Sequence, residues 1–370
     1  MRIEKIVLRL LEMELVREFE ISVGKIHKRR IILVEFHSED NVGYGECTAG
    51  EGPFFSYETY DTALIIMQKY LVKRIIGKVF RDPREFRRSL EFVRGHNMAK
   101  ASMEYAFWDL YAKSLGKPLY KLYGGIRTRI DAGVSIGIKK NIRELIELIE
   151  TYLDRGYKRI KIKIKPGYDI GVLKEVREVF PRIKLQVDAN ASYDLSMMNV
   201  LRKLDDFDLL MIEQPLHPED LVGHAILQSR IRTPICLDES ITSIHTTKSA
   251  LRLGSCKIIN IKPPRVGGII EAMKIHDFSK THQIGLWIGG MLETGVGKTH
   301  LLHIATLPGI NYPSDISESQ RYWREDIIGR PLTLNRDGTI NVPDKPGIGV
   351  DVVPDLVEKY QKKVWTYRAL

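Results

Sequence analysis

The sequence predicts an α/β protein in which a (β/α) barrel is joined to a smaller α+β domain, and three observations lead there. The chain has 370 residues, too many for one small core and enough for a barrel with a partner. Near Asp131 the pattern changes to short β-branched runs alternating with longer helical stretches, the mark of βα units around a parallel sheet. Charged residues then recur at a fixed interval: Lys163 to Asp188, Asp188 to Glu213 and Glu213 to Asp238 are each 25 apart, and Asp238 to Lys262 is 24. One βα unit separates each pair, so these side chains converge on the mouth formed by the C-terminal strand ends, where barrel enzymes place their chemistry.

Residues 1–125 open with β-rich stretches such as RRIILVEFHSED, turn around Asn41-Val42-Gly43 and become helical through MAKASMEYAFWDLYAKSLG, which defines the α+β unit. Residues 126–320 form the barrel. Its strand candidates are DAGVSIGI, RIKIKIK, IKLQVDAN, LLMIEQP, TPICLDES, CKIINIKP and GLWIGG, with a weaker eighth near NYPSD, and each closes on polar or glycine residues. From residue 321 onward Pro331, Pro343, Pro346 and several glycines give loops and short strands that pack back on the first domain.

With 44% hydrophobic and 28% charged residues the chain is soluble and globular. Its N-terminus breaks every apolar stretch with charge, and no run of about 18 apolar residues occurs, so neither signal peptide nor membrane span is expected. Cys47, Cys236 and Cys256 are far apart and lack CxxC spacing, which disfavours a disulfide framework or a zinc site and fits a reducing cytoplasm. The net charge of +10 is spread along the chain without a nucleic-acid-binding signature, so an acidic small molecule is the better partner.

Asp188, Glu213 and Asp238 end adjacent strands and would repel one another strongly without a cation between them. All-carboxylate ligation with room for water and substrate suits Mg²⁺ or Mn²⁺ over zinc. A lone strand-end acid would be uninformative; equal spacing of three is not. Lys161 and Lys163 lie two apart on a strand and share one face, while Ile160, Ile162 and Ile164 take the other. The bland alternative is a solvated edge strand, but this strand directly precedes the Asp188 strand. Lys262 approaches the same space from the far side of the ring, where like charge and a metal would lower a lysine pKa toward the range useful to a general base.

The segments KIK (Lys161–Lys163), VDAN, IEQP, LDES, NIKP and GGMLETGVG together resemble the enolase superfamily, muconate-lactonizing subgroup. NIKPPRVGG and NYPSDISESQRYWREDI resemble its o-succinylbenzoate synthase and N-acylamino acid racemase branch, and VGYGEC and EGPFFSYET extend the likeness into the first domain. The resemblance implies a modified (β/α)₇β TIM-type barrel with an α+β capping domain, and a symmetric homo-oligomer. It implies Lys163 as base, Lys262 as opposed acid/base or cation, Lys161 as stabiliser of the enolic intermediate, and Asp188, Glu213 and Asp238 as Mg²⁺ ligands. Asn190 and Glu239 match supporting positions, Ser135 sits at the first strand end near substrate, and Arg265 matches an arginine common in members associated with racemase activity. The implied reaction is dehydration of a cyclohexadiene carboxylate to o-succinylbenzoate for menaquinone biosynthesis, with N-acylamino acid racemisation as the alternative on one site. The loop Ala49-Gly50-Glu51 is slighter than the pattern, which bears on substrate choice.

Other segments compete for attention. LETGVGKT at 292–299 nearly spells a phosphate-binding loop and would support a nucleotide-binding or non-catalytic protein. Leu292 stands where the first glycine is required, and 71 residues remain after Thr299 (370 − 299), too few for the rest of such a domain. At a barrel mouth the glycines at 289, 290, 295 and 297, with Met291 among them, instead let backbone approach a substrate carboxylate. Gly43-Tyr44-Gly45 reads as a turn, and His300 and His303 as core residues sharing a helix face. Phe54, Phe55 and Tyr57 read equally as an apolar lid or a buried loop.

Overall fold

The computed structural model describes residues 1–21, 24–39 and 41–369. β1 (Lys5–Ile21), β2 (Gly24–Ser38) and β3 (Asn41–Cys47) form an antiparallel meander, and the C-terminal strand Gln361–Arg368 adds to its β1 edge. One face of this sheet buries Ile6, Leu8, Leu10, Ile32, Val34 and Phe36 against Phe80, Phe86 and Phe107.

The helix Asn97–Ser114 is buried almost all round, because it is sandwiched between that sheet and the barrel. Its acids act in both directions. Glu104 accepts from Ile270 N at 2.9 Å on the barrel side, and Asp109 accepts from Tyr44 N at 2.8 Å and Ile348 N at 2.7 Å. Gly43 and Gly45 belong to β3 and not to a turn, which corrects the sequence reading. They are needed because a Cβ at Gly45 would stand 2.0 Å from Ser102 O, and one at Gly43 2.2 Å from Ala106 O.

β4 (Arg129–Asp131) leads into a seven-stranded parallel sheet in chain order: β5 (Gly133–Ile136), β6 (Arg159–Lys163), β7 (Leu185–Asp188), β8 (Ile212–Glu213), β9 (Ile235–Leu237), β10 (Ile258–Ile261) and β11 (Gly285–Ile288). The strands are short and, apart from the charged alternation of β6 and the polar residues of β7 and β8, mostly apolar, as expected of a sheet covered on both faces. The following helices begin at side-chain caps, Asn141, Asp169, Asp220 and Ser243, each accepting a backbone N–H of the first turn. The weak eighth segment closes the ring through single contacts: Ile310 bridges to Leu286, Ser314 to Ala132, and Gly133 N donates to Ser314 O at 2.8 Å. The architecture is the modified (β/α)₇β barrel with an antiparallel-sheet cap.

Of the stretch from residue 321, β12 (Thr339–Asn341) pairs with β4, and Trp323, Ile327 and Ile328 join the barrel core. The C-terminal strand, β13, is the part that returns to the first sheet. Among the described residues no helix is long and apolar enough to cross a membrane, and the three cysteines are free and buried.

Because Gly45 is in contact with helix backbone that cannot swing aside, Gly45→Ala is expected to cost about 3 kcal/mol. A loss below ~0.5 kcal/mol in denaturant unfolding would show that the sheet and helix can separate freely.

Candidate active site

Inside the barrel β6 presents a column of cations, since Arg159, Lys161 and Lys163 alternate with the buried Ile160 and Ile162. β6 is an interior strand, paired with β5 and β7, so the solvated-edge alternative falls away. Arg159 lies 2.7 Å from Asp315 and stacks 5.0 Å from the Trp287 ring. Lys161 Nζ is 2.6 Å from Asp315, 2.9 Å from Glu213 and 3.2 Å from Asp188. Lys163 Nζ donates to Asp188 Oδ2 and Asn190 Oδ1, each at 2.6 Å.

On the far side Lys262 Nζ donates to Asp238 Oδ2 at 2.7 Å, and its ammonium lies 4.6 Å from the ring centre of Phe55, delivered by the cap. Arg265 donates to the other Asp238 oxygen, to Ile241 O at 2.7 Å and to Asn260 O at 2.6 Å. Glu213 is held by Gln186 and Asn260, both at 2.7 Å, and Asn190 Nδ2 donates to Glu239 at 2.9 Å. Asn190, Ala191 and Gln214 leave the strand ends at positive φ (43°, 59° and 39°), strain of the kind that gathers at functional sites.

Burial raises the Glu213 carboxyl, with Asp188 adding to the effect, and raises Glu239 in the same way. Burial also works against ionised Asp188, but Lys163 and Lys161 outweigh it and hold that carboxyl below its ordinary range. Lys161 shows the mirror image: burial disfavours its charge, yet Asp315, Glu213 and Asp188 together push its pKa up. It is a fixed cation.

The donor set meets the requirements of a hard divalent ion. Asp188 and Glu213 pair directly across β7 and β8, Asp238 stands one residue beyond the end of β9, and all three are buried with oxygen donors alone. In the present geometry, among the described residues, no three acids, histidines or cysteines stand clustered for a metal: Lys161 bridges Asp188 and Glu213, and Lys262 sits on Asp238. Those ammoniums mark where positive charge is wanted.

A cavity of about 600 Å³ opens between barrel mouth and cap, lined by Lys161, Lys163, Lys262, Asp188, Asn190, Ser135, Gly290, Met291, Phe54 and Phe55. Glu213, Asp238, Glu239 and Arg265 lie beneath it and reach it through their partners. Ser135 Oγ, buried at its wall, has no hydrogen-bond partner. Phe54 and Tyr57 are exposed, at 71% and 63%, while Phe55 is half-buried over Lys262, so the loop is not buried as a whole but inserts one ring at the cavity. The lining also includes Phe19, Arg29, Met98, Asp315 and Tyr322, which the sequence analysis does not single out. Arg159 had a signal, the R-I-K-I-K alternation; Asp315 sits on the weak eighth strand.

The glycine-rich segment behaves differently from expectation. The helix Gly295–Ile304 does present its N-terminus to a carboxylate, but the carboxylate is the protein's own: Glu46 accepts from Thr294 N at 3.0 Å, Thr294 Oγ1 at 2.5 Å and Gly297 N at 2.9 Å. Gly295 N donates to Asp326. A Cβ at Gly289 would meet Asn260, and one at Gly290 would meet Asp315 O. These glycines admit neighbouring protein groups to the backbone, so neither a nucleotide phosphate nor a substrate carboxylate is required to explain them. His300 and His303 are fully buried and bonded to Tyr44 O and Ile348 O, as core residues.

Fold and site together define a barrel enzyme whose strand ends carry a ring of acids between opposed lysines. The chain belongs to the enolase superfamily: residues 5–124 match the mandelate racemase / muconate lactonizing enzyme N-terminal domain, and residues 144–356 match the enolase C-terminal domain-like family. It is 44% identical to an o-succinylbenzoate synthase of Bacillus subtilis, over 98% of this chain and 97% of that one. It is also 44% identical to an N-succinylamino acid racemase of Thermus thermophilus, over 97% of each. A solved enolase-superfamily structure from Listeria innocua superposes with a TM-score of 0.96 at 37% identity, covering 100% of this chain and 99% of that one.

Asp315 neutralises two buried cations at once, so Asp315→Asn is expected to cost about 3–5 kcal/mol. Burial opposes its ionisation, but Arg159 and Lys161 hold its pKa below the ordinary carboxylate range. Its stabilising contribution is therefore full above about pH 4 and is lost as pH falls further. The variant should have a flatter acid limb in urea unfolding from pH 6 to 3; an unchanged limb would contradict the assignment.

Proposed function

We propose that this protein is a Mg²⁺-dependent o-succinylbenzoate synthase that dehydrates a cyclohexadiene carboxylate by removing the proton next to the carboxylate. The observation that carries this reading is the pair Lys163 and Lys262, which enter one cavity from opposite sides of the acid ring. Asp188, Glu213 and Asp238 would hold Mg²⁺, or Mn²⁺, which supplies positive charge to the substrate carboxylate when bound. Such a proton is very weakly acidic, so a base alone does not suffice and the dianionic intermediate needs fixed positive charge. Lys161, held protonated by three carboxylates, supplies that charge without exchanging protons.

Lys163, as the free amine, takes the α-proton. The resulting ammonium then gives a proton to the β-hydroxyl as its C–O bond breaks, so water leaves from the same face and the ring becomes aromatic. Asn190 and Asp188 aim Lys163, and Lys262 remains a cation over the ring. Buried free cysteines support a cytoplasmic setting.

A second reading, racemisation of N-succinylamino acids, is favoured by the matched surroundings of the two lysines, each on one carboxylate at 2.6 and 2.7 Å. Proton removal on one face and return on the other inverts the centre, and the Thermus relative supports it.

Lys163→Ala is expected to lower dehydration by at least about 10³-fold. Lys262→Ala should abolish racemisation while dehydration survives weakly. Both are checked by ultraviolet absorbance for the aromatic product, and by polarimetry and α-proton exchange in D₂O for an N-succinylamino acid. Fast exchange with no dehydration in the unaltered enzyme would reject the first reading in favour of the second.

A further inference from the structure

Cations lining the cavity are almost all matched to acids. Lys161, Lys163 and Lys262 face Asp188, Glu213, Asp238 and Asp315. At the mouth Lys25 and His27 pair with Glu18, and Lys28 with Glu12. Arg29 differs. It lines the same cavity and is 6% exposed, yet among the described residues no carboxylate lies within ion-pair distance of it. Its Nη2 donates to Thr48 O at 2.6 Å and more distantly to Met291 O at 3.4 Å, while its buried Nε has no partner.

Of the acids whose charge acts on Arg29, Glu51 stands 3.9 Å from Arg30 at the mouth, and the other two are engaged. Glu46 is spent on the helix N-terminus at Thr294 and Gly297, and both oxygens of Glu293 accept from Met291 N at 2.8 Å. A desolvated guanidinium with unused donors is costly unless something supplies the acceptor, and a planar fork is suited to a carboxylate. Hydrogen bonds to Thr48 and Met291 fix the plane of this one at the cavity wall, between the cap and the strand-end loop after β11.

The chemistry of the relatives names a matching anion. The o-succinylbenzoate synthase and the N-succinylamino acid racemase act on molecules built differently at the reacting carbon, but both names carry a succinyl group. A succinyl group attached through one carbonyl ends in a free carboxylate. The carboxylate beside the α-proton belongs with the acid ring and its lysines, which leaves the distal one without a partner there.

The geometry points to Arg29 as the subsite for this second carboxylate, so that the site selects dicarboxylates by their far end and tolerates variation between the ends. The inference rests on the proposed function for the identity of the succinyl group, but its test does not require turnover.

The test is calorimetric binding to the full chain in Mg²⁺ of 2-succinylbenzoate and of 2-butanoylbenzoate, which replaces the distal carboxylate by a methyl group. The unaltered protein is expected to prefer the succinyl compound by about 30-fold. Arg29→Met should reduce the preference to less than about 3-fold, with butanoylbenzoate affinity changed by no more than that. Arg29→Lys, which keeps the charge without the fork, should retain an intermediate preference, and it serves as the test if the methionine variant fails to fold. A preference that survives in either variant undiminished, or an equal loss for both ligands, would overturn the subsite. Absence of binding by the unaltered protein would overturn it together with the proposed function. A preference lost in the variants, with no dehydration or exchange by the unaltered enzyme, would uphold the subsite and place the failure in the proposed reaction.

Discussion

Charge neutralisation in a buried space is the constraint on which the rest of this structure depends. Asp188, Glu213, Asp238 and Asp315 are brought within bonding distance of Arg159, Lys161, Lys163, Lys262 and Arg265 in a region that excludes most water. Buried ions are stable only when each is paired and hydrogen-bonded, and removal of one leaves the others exposed to the full desolvation cost. The pairing also sorts the lysines. Lys161, on three carboxylates, is fixed as a cation, whereas Lys163 and Lys262 each answer to one; all three line the cavity.

The same rule, applied with helix termini in place of lysines, welds cap to barrel. Glu46 from the first sheet sits on the N-terminus of the helix Gly295–Ile304, and Glu104 from the long helix meets Ile270 N; within the cap, Glu58 does the same for the long helix, accepting from Met98 N at 2.9 Å. Backbone N–H groups at helix starts are ready partners for a carboxylate. Burial with Glu293 nearby still pushes the Glu46 carboxyl up to about 7. Cap and barrel are thereby locked, and the loop carrying Phe55 is held over Lys262.

Much of this is legible in the sequence, for a physical reason. A βα unit has a nearly fixed length, so residues 25 apart on strand-like runs must lie side by side, and Lys163, Asp188 and Glu213 do end β6, β7 and β8, with Asp238 and Lys262 one residue beyond β9 and β10. The long helix is equally plain, because residues 97–114 hold strong helix formers and no glycine or proline. Asp315 escapes notice because the eighth strand is held by single bridges and carries no run of its own. Arg29 is hidden in KIHKRR, where alternating charge gives no clue to which side chain turns inward. The glycines around Thr294 mislead because a phosphate and a glutamate ask the same thing of a helix N-terminus, and the sequence does not say that Glu46 arrives from more than two hundred residues away.

The account stands on the acid ring being a site for one divalent cation, with the lysine ammoniums marking its place. Calorimetric titration of the purified chain with Mg²⁺, repeated with Mn²⁺ by electron paramagnetic resonance, measures this directly. The account predicts one ion per chain, with affinity lowered by at least about 10-fold in each of Asp188→Asn, Glu213→Gln and Asp238→Asn. Unchanged binding in the variant carrying all three substitutions would contradict it.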